Sequence, residues 1–168
     1  GIDGFDGAFY SRVLAGNYNI SLLEDIEVEK NVGKICNNKS KDRIDIWAVL
    51  ELSYEEDDDV IRRIIPVVIE NKIYSGEGKK QTQRYFNAVS SYPQTEGVEH
   101  MPMGVLLTVG SKDPSSSQFS NITYQELLTY VIEPLASSVA PDSVQFVESF
   151  IRNLGRPALA DDKYYGVL

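Results

Sequence analysis

The sequence predicts an α/β protein, in which a mixed central sheet is flanked by helices and extra helices follow the sheet. Residues 25–32 alternate polar and apolar side chains, as a half-buried strand does, and residues 43–52 form a second strand. Residues 62–72 form a third strand, and its nearly continuous apolar run over residues 64–69 indicates a central strand covered on both faces. A segment with helical spacing, residues 77–92, separates this strand from the next. Strands interleaved with helices predict a sheet with helical cover.

The first half of the chain predicts one helix and three strands. Residues 5–15 form the helix, because their apolar side chains share one helical face: Phe5, Phe9, Val13 and Leu14. A polar turn over residues 37–42 separates the first two strands. The acidic run 55–59 leads to the third strand, and its like charges predict a solvated connection.

The second half predicts a fourth strand and three helices. The helix over residues 77–92 has one face formed by Gln81, Tyr85, Ala88 and Tyr92. The strand covers residues 103–110, and a serine-rich polar loop covers 111–120. Further helices are predicted over about 123–133, before a proline, and from about 141 to 154.

Length and composition predict one domain over residues 1–168, with residues 156–168 as an uncertain tail. The 168 residues fall in the usual size range of a domain, and 42% of them are hydrophobic, enough for a core. The chain starts with Gly1 instead of Met, so we expect it to be trimmed at its N-terminus.

The charge excludes some classes of function. A net charge of -9 argues against a nonspecific DNA coat or a membrane-surface protein, which usually present a basic face. Residues 51–59 contain six of the acids and no base, so the acidity is concentrated in one segment. A single cysteine, Cys36, excludes an internal disulfide, and a single histidine, His100, excludes a multi-histidine metal site.

Targeting signals are absent from the sequence pattern. No apolar run approaches the ~18–20 residues that span a bilayer, so we expect no membrane partner. No signal peptide is visible, which predicts a cytoplasmic protein. Residues 76–80 contain two glycines and two lysines but lack the spacing of a phosphate-binding loop, so we expect no NTP site.

Three residues on the second and third strands form the candidate site. Asp45 projects from the face opposite Ile44 and Ile46, and Glu70 and Lys72 share a face because they are two residues apart. If the strands form a hairpin, Asp45 and Glu70 can approach each other. Two adjacent carboxylates repel unless a cation joins them, and oxygen ligands suit Mg²⁺ or Mn²⁺.

These residues supply the parts that phosphodiester hydrolysis requires. The backbone carbonyl of Asn71 is a candidate third metal ligand, and Lys72 can stabilise charge on a phosphate or help deprotonate a water. The ordinary alternative is a surface salt bridge at a strand end. The close grouping of polar residues around an apolar strand favours a site.

A basic segment follows this strand. Residues 72–84 contain four bases against one acid, and Lys79, Lys80 and Arg84 are candidates for nucleic-acid binding. Bases at a helix start oppose the helix dipole, and phosphate binding would explain their position. A solvated basic face is an equally good explanation.

Three segments resemble the PD-(D/E)XK nuclease superfamily, in particular a bacterial branch with the pattern IDI, then IENKI, then Q-x-x-x-Y. They are Arg43-Ile44-Asp45, the run Ile69-Glu70-Asn71-Lys72-Ile73, and the pair Gln81 and Tyr85. The resemblance extends over roughly residues 5–130. It implies an αβββαβ restriction-endonuclease-like core with a divalent-metal site that acts on DNA.

The resemblance also implies a role for each matching residue. Asp45 and Glu70 would bind the metal, and Lys72 would be the catalytic lysine. Gln81 would position the site or the backbone, and Tyr85 would pack or contact phosphate. The acidic residue that many members carry on the first helix has no secure match. Its candidates are Asp3, Asp6 and, on the first strand, Glu29.

Two main hypotheses from different classes follow, beside a third, which is a purely structural domain of a larger defence or mobile-element protein. The first is divalent-metal-dependent hydrolysis of DNA phosphodiester bonds, with Mg²⁺ or Mn²⁺ as the cofactor. The second is a noncatalytic module that binds nucleic acid or protein and retains the nuclease fold.

Overall fold

The computed structural model describes residues 18–37, 39–73, 76–110, 112–136 and 143–154. The helix predicted over residues 5–15 and the tail 156–168 lie outside these ranges.

Within these ranges, a mixed six-stranded sheet forms the centre of the fold. Strands β1 to β3 are antiparallel neighbours, and β3, β5 and β6 run parallel to one another in the order β1-β2-β3-β5-β6. The short β4 pairs with β3 in parallel. The strands are β1 (Tyr18–Asn31), β2 (Arg43–Glu56), β3 (Asp59–Lys72), β4 (Glu99–His100), β5 (Met103–Thr108) and β6 (Phe119–Thr123).

Among the described residues, helices lie in three places along the chain. The one-turn α1 (Val32–Ile35) joins β1 to β2, and α2 (Gln81–Val89) follows β3. After β6 come α3 (Tyr124–Leu127), a π-helical turn over Leu128–Ile132, α4 (Glu133–Leu135) and α5 (Val144–Leu154). None of the helices among the described residues is long and apolar enough to cross a membrane.

Helices cover the sheet on both faces. One buried cluster joins α2 to the sheet and contains Trp47, Val68, Tyr85, Ala88 and Leu106. A second, smaller cluster, built on Val109, Tyr124 and Leu128, receives side chains from α5. The predicted mixed sheet with helical cover and additional C-terminal helices is confirmed.

The acidic segment is a hairpin end, so the prediction of a five-residue connection is wrong. Glu55 and Glu56 end β2 and Asp59 begins β3, so the turn consists of Asp57 and Asp58. Both turn residues have positive φ, 51° and 68°, as a type I′ hairpin turn requires. Hydrogen bonding between strands outweighs repulsion between exposed charges, which water and salt screen.

Other boundaries also differ from the predictions. Strand β1 begins at Tyr18, seven residues earlier than predicted, and β5 ends at Thr108. Helix α2 is shorter than the predicted 77–92 because its N-cap, Lys80, has a left-handed backbone with φ 48°, which a helix cannot continue through.

Strand β6 was not predicted. It begins in the predicted loop 111–120 and takes the start of the predicted helix 123–133. Its sequence is mostly polar, and only Phe119 is fully buried, so alternation gives little signal. Helix α3 then starts at Tyr124 with a capping box between Thr123 and Glu126.

Candidate active site

Two carboxylates meet on neighbouring strands, as the hairpin hypothesis predicted. Ile46 of β2 pairs with Ile69 of β3, and one further step of this antiparallel register sets Asp45 level with Glu70. Side chains level with each other in adjacent strands share a face. This is also the face of Trp47 and Val68, which α2 covers.

Glu70 is buried and only partly satisfied. Its side chain is 1% exposed, and Oε1 lies 2.5 Å from Nζ of Lys72 and accepts a 2.7 Å hydrogen bond from Nε2 of Gln81. The other oxygen, Oε2, is buried without a hydrogen-bond partner. An ionised carboxylate with an unpartnered buried oxygen is costly, so this oxygen is suited to a cation.

The electrostatics of Glu70 reflect this burial. Loss of solvation raises the pKa of Glu70, and the negative charge of Asp45 adds to the effect, whereas the hydrogen bond from Lys72 opposes it. A nearby divalent cation would favour the ionised form of Glu70.

A hydrogen bond joins the Asp45 side chain to the backbone of Asn71. The backbone N–H of Asn71 donates to Oδ2 of Asp45 over 2.7 Å. The Asn71 side chain accepts a hydrogen bond from the hydroxyl of Tyr124, at the start of α3. The end of β3, which carries Glu70 and Lys72, is therefore also held by a hydrogen bond from α3.

Gln81 and Tyr85 connect α2 to the two strands. Nε2 of Gln81 also donates to the Tyr85 hydroxyl over 2.7 Å, and that hydroxyl donates to the backbone carbonyl of Arg43. Burial, together with the charges of Glu70 and the nearby aspartates, raises the pKa of Tyr85 to about 12, although the bond from Gln81 opposes the shift. Tyr85 is 2% exposed and packs in the buried cluster between α2 and the sheet.

The three predicted nucleic-acid contacts differ in their surroundings. Lys79 and Lys80 are exposed just before α2. Arg84 forms an ion pair with Asp42, at 2.8 Å, and donates to the backbone carbonyl of Lys79. Arg84 thus fastens α2 to the chain that precedes β2.

Glu29, on β1, lies next to Asp45 of β2 in the sheet. It lies between the pairs Val28–Ile46 and Lys30–Ile44, so it is level with Asp45. Its exposed carboxylate lies 3.6 Å from Nη1 of Arg43, and its φ of 55° is unusual for this residue type. No group of three or more His, Cys, Asp or Glu side chains in the described ranges is arranged to hold a metal.

The residues present nevertheless fit a hard divalent cation. The donor set consists of oxygens, one of them buried without a partner, and a second carboxylate is level with it across the hairpin. Asp45, Glu70 and the carbonyl of Asn71 are the residues that would hold it.

Sequence reasoning missed one set of contacts at the site. Glu77, counted only as an acid in a basic segment, accepts hydrogen bonds from Thr82 and Ser115. Ser115 lies in the connection between β5 and β6, 38 residues further along the chain. An acidic residue shortly before a helix start was a signal for the local part of this network, but no sequence pattern pointed to Ser115.

Comparison with known proteins places the chain in a family. A family model described as the PD-(D/E)XK nuclease superfamily matches residues 4–152. No curated protein and no solved structure matches the chain. The matched range covers most of the sequence, and the mixed sheet flanked by helices has the restriction-endonuclease-like arrangement. The chain therefore belongs to the PD-(D/E)XK nuclease superfamily.

Proposed function

We propose that this protein hydrolyses DNA phosphodiester bonds with Mg²⁺ or Mn²⁺ held by Asp45, Glu70 and the carbonyl of Asn71. The observation that carries the proposal is the unpartnered, buried Oε2 of Glu70, next to Asp45 and with Lys72 at its other oxygen. A surface salt bridge would leave both partners solvated, whereas Lys72 is 17% exposed and Glu70 is almost fully buried.

Each residue has a defined task in this proposal. A bound divalent cation supplies Lewis acidity and a more acidic water. Lys72 supplies a fixed positive charge for the phosphate, and from the same position it can take part in proton transfer to or from water. Gln81 keeps the Glu70 carboxylate in one orientation through its 2.7 Å bond.

Nucleic acid would approach over the start of α2. Lys79 and Lys80 are the exposed bases there, whereas Arg84 is engaged with Asp42. We therefore assign phosphate contacts first to the two lysines. Glu29 remains a candidate third carboxylate, provided that it releases Arg43.

The test is a cleavage assay on single- and double-stranded DNA with Mg²⁺ or Mn²⁺, with and without chelator. We expect metal-dependent cleavage that falls by about 100-fold or more in Lys72→Ala, the range for loss of a proton-transfer group. The matched control is Lys34→Ala, an exposed lysine on α1, which should cleave normally. Cleavage that survives the chelator, or that survives in Lys72→Ala, would contradict the proposed mechanism.

A noncatalytic binding module is the second candidate. One observation favours it: within the described residues only two carboxylates converge, and Glu29 is paired with Arg43. It predicts a protein that binds DNA or a protein partner and cuts none of the DNA substrates at any metal concentration tested.

A further inference from the structure

The Glu77 carboxylate accepts hydrogen bonds from two segments that are distant in sequence. Its Oε1 accepts hydrogen bonds from the backbone N–H of Thr82 at 2.7 Å, the Thr82 hydroxyl at 2.8 Å and the Ser115 hydroxyl. Its Oε2 accepts from the backbone N–H of Ser115 at 2.7 Å. The four donors come from the first turn of α2 and from the β5–β6 connection.

The network continues into a buried layer. Thr82 is fully buried, and its hydroxyl accepts a 3.0 Å hydrogen bond from the backbone N–H of Ser116, which is itself 1% exposed. Buried polar groups that are all partnered restrict a segment to one arrangement. The hydrogen bonds hold the pKa of Glu77 below its usual value, although its partial burial opposes this shift.

A short path leads from Glu77 to the carboxylates. The backbone N–H of the next residue, Gly78, donates a 3.2 Å hydrogen bond to Oε1 of Gln81. The backbone carbonyl of Gly78 accepts a 2.9 Å hydrogen bond from the backbone N–H of Gln81. With its oxygen bound to Gly78, the Gln81 amide directs its nitrogen to Glu70 and Tyr85. The turn that Glu77 fixes is therefore the turn that sets the orientation of Gln81.

We propose that Glu77 is a positioning residue for the candidate site, which acts through Gln81 to hold the Glu70 carboxylate in place. This inference rests on the proposed function for its catalytic part. Glu77 also makes the β5–β6 connection part of the site's support, since Ser115 supplies two of its four hydrogen bonds. A residue that merely caps α2 would contribute stability and leave the Gln81 amide unaffected.

The experiment compares Glu77→Gln, Gln81→Ala and the double variant in the whole chain. The matched control is Glu99→Gln, which loses an ion pair with Arg63 seven residues before Glu70 on β3. Two quantities are measured: the ¹H–¹⁵N signals of the Gln81 side-chain amide in metal-free protein, and kcat and KM for DNA cleavage with Mg²⁺. The Gln81→Ala spectrum assigns the amide signals.

We expect the Gln81 amide signals of Glu77→Gln to move towards those of a free amide, and kcat to fall about tenfold with little change in KM. The double variant should be no slower than Gln81→Ala, because both changes act on one contact. Unchanged amide signals in folded Glu77→Gln, an unchanged kcat, or losses that add in the double variant would each overturn the inference.

The experiment gives a clear answer even if the Glu77→Gln variant does not fold or the wild-type protein cuts no DNA. If Glu77→Gln does not fold, Ser115→Ala is used instead, because it removes the hydroxyl that donates to Glu77 and lies 3.0 Å from the Thr82 hydroxyl. The same shift of the amide signals and the same loss of kcat are expected from it. If the wild-type protein cuts no DNA, the proposed function fails, and the amide signals alone then decide whether Glu77 positions Gln81.

Discussion

At the scale of single residues, the site depends on where Glu70 lies. Strand alternation and a hairpin predict that Asp45 and Glu70 share a face, and the register confirms it. The contact of Gln81 with Glu70 could not be predicted from periodicity, because helix spacing does not specify which strand a helix meets. The family resemblance implied only that Gln81 positions the site or the backbone. The contact of Glu77 with Ser115 depends on the fold of a loop, so local sequence could not predict it.

Tyr85 gives a pH prediction. Its pKa rises from 10.0 in the unfolded chain to about 12 in the folded protein, so folding favours the protonated hydroxyl. This contribution to stability is complete below pH 10 and disappears as the pH rises from about 10 to 12. In Tyr85→Phe, we expect a loss of about 1–2 kcal/mol at pH 8 from the broken hydrogen bonds, and a smaller difference from wild type at pH 11.

Urea unfolding at the two pH values measures this difference. Tyr130→Phe is the control, since Tyr130 is 74% exposed. A difference between wild type and Tyr85→Phe that stays constant or grows with pH would contradict the assigned environment of Tyr85.

At the scale of elements, the strands were predicted better than their ends. The apolar run of β3 identified a central strand, because that strand has neighbours on both edges and helices on both faces of the sheet. The sequence did not predict β6, because this strand is mostly polar and its position in the sheet depends on pairing with β5. The shortened α2 was missed because the left-handed Lys80 has no residue-type signal.

The β2–β3 turn predicts a stabilising substitution. Asp58 has a φ of 68°, a region that glycine enters without the steric cost of a Cβ. We expect Asp58→Gly to raise the free energy of unfolding by about 0.5–1 kcal/mol, because the relief of left-handed strain exceeds the extra backbone entropy that glycine loses on folding. Asp59→Gly removes the same charge from the first residue of β3 and should destabilise instead. Equal effects of the two changes in thermal unfolding would contradict a two-residue turn.

The β5–β6 pair predicts a destabilising substitution. A Cβ added at Gly104 would lie within 2.7 Å of three atoms of the Phe119 ring. We expect Gly104→Ala to lower the free energy of unfolding by about 1–3 kcal/mol, the usual cost of overpacking. Gly76→Ala is the control, because an added Cβ there meets nothing within 4 Å. Equal stability of Gly104→Ala and wild type in urea unfolding would contradict this packing.

At the scale of the whole molecule, the charge distribution fits a phosphate substrate despite the net charge of -9. The five acidic residues 55–59, around the β2–β3 turn, lie at the opposite end of the two strands from Asp45. Along an extended strand, this separation is on the order of 35 Å. At physiological salt, charges at that separation are screened. The predicted fold class is confirmed by the sheet and by the family match. The cytoplasmic location and the choice of metal stay predictions.

The most direct test of the account is diffraction from crystals of the protein soaked in Mn²⁺, recorded to locate the anomalous signal of the metal. The account predicts a peak about 2.0–2.6 Å from carboxylate oxygens of both Asp45 and Glu70, the usual range for hard cations. In crystals of Glu70→Gln soaked in the same way, the peak should weaken or vanish. A well-ordered site in which Mn²⁺ binds elsewhere, or in which only one of the two carboxylates contacts it, would contradict the account.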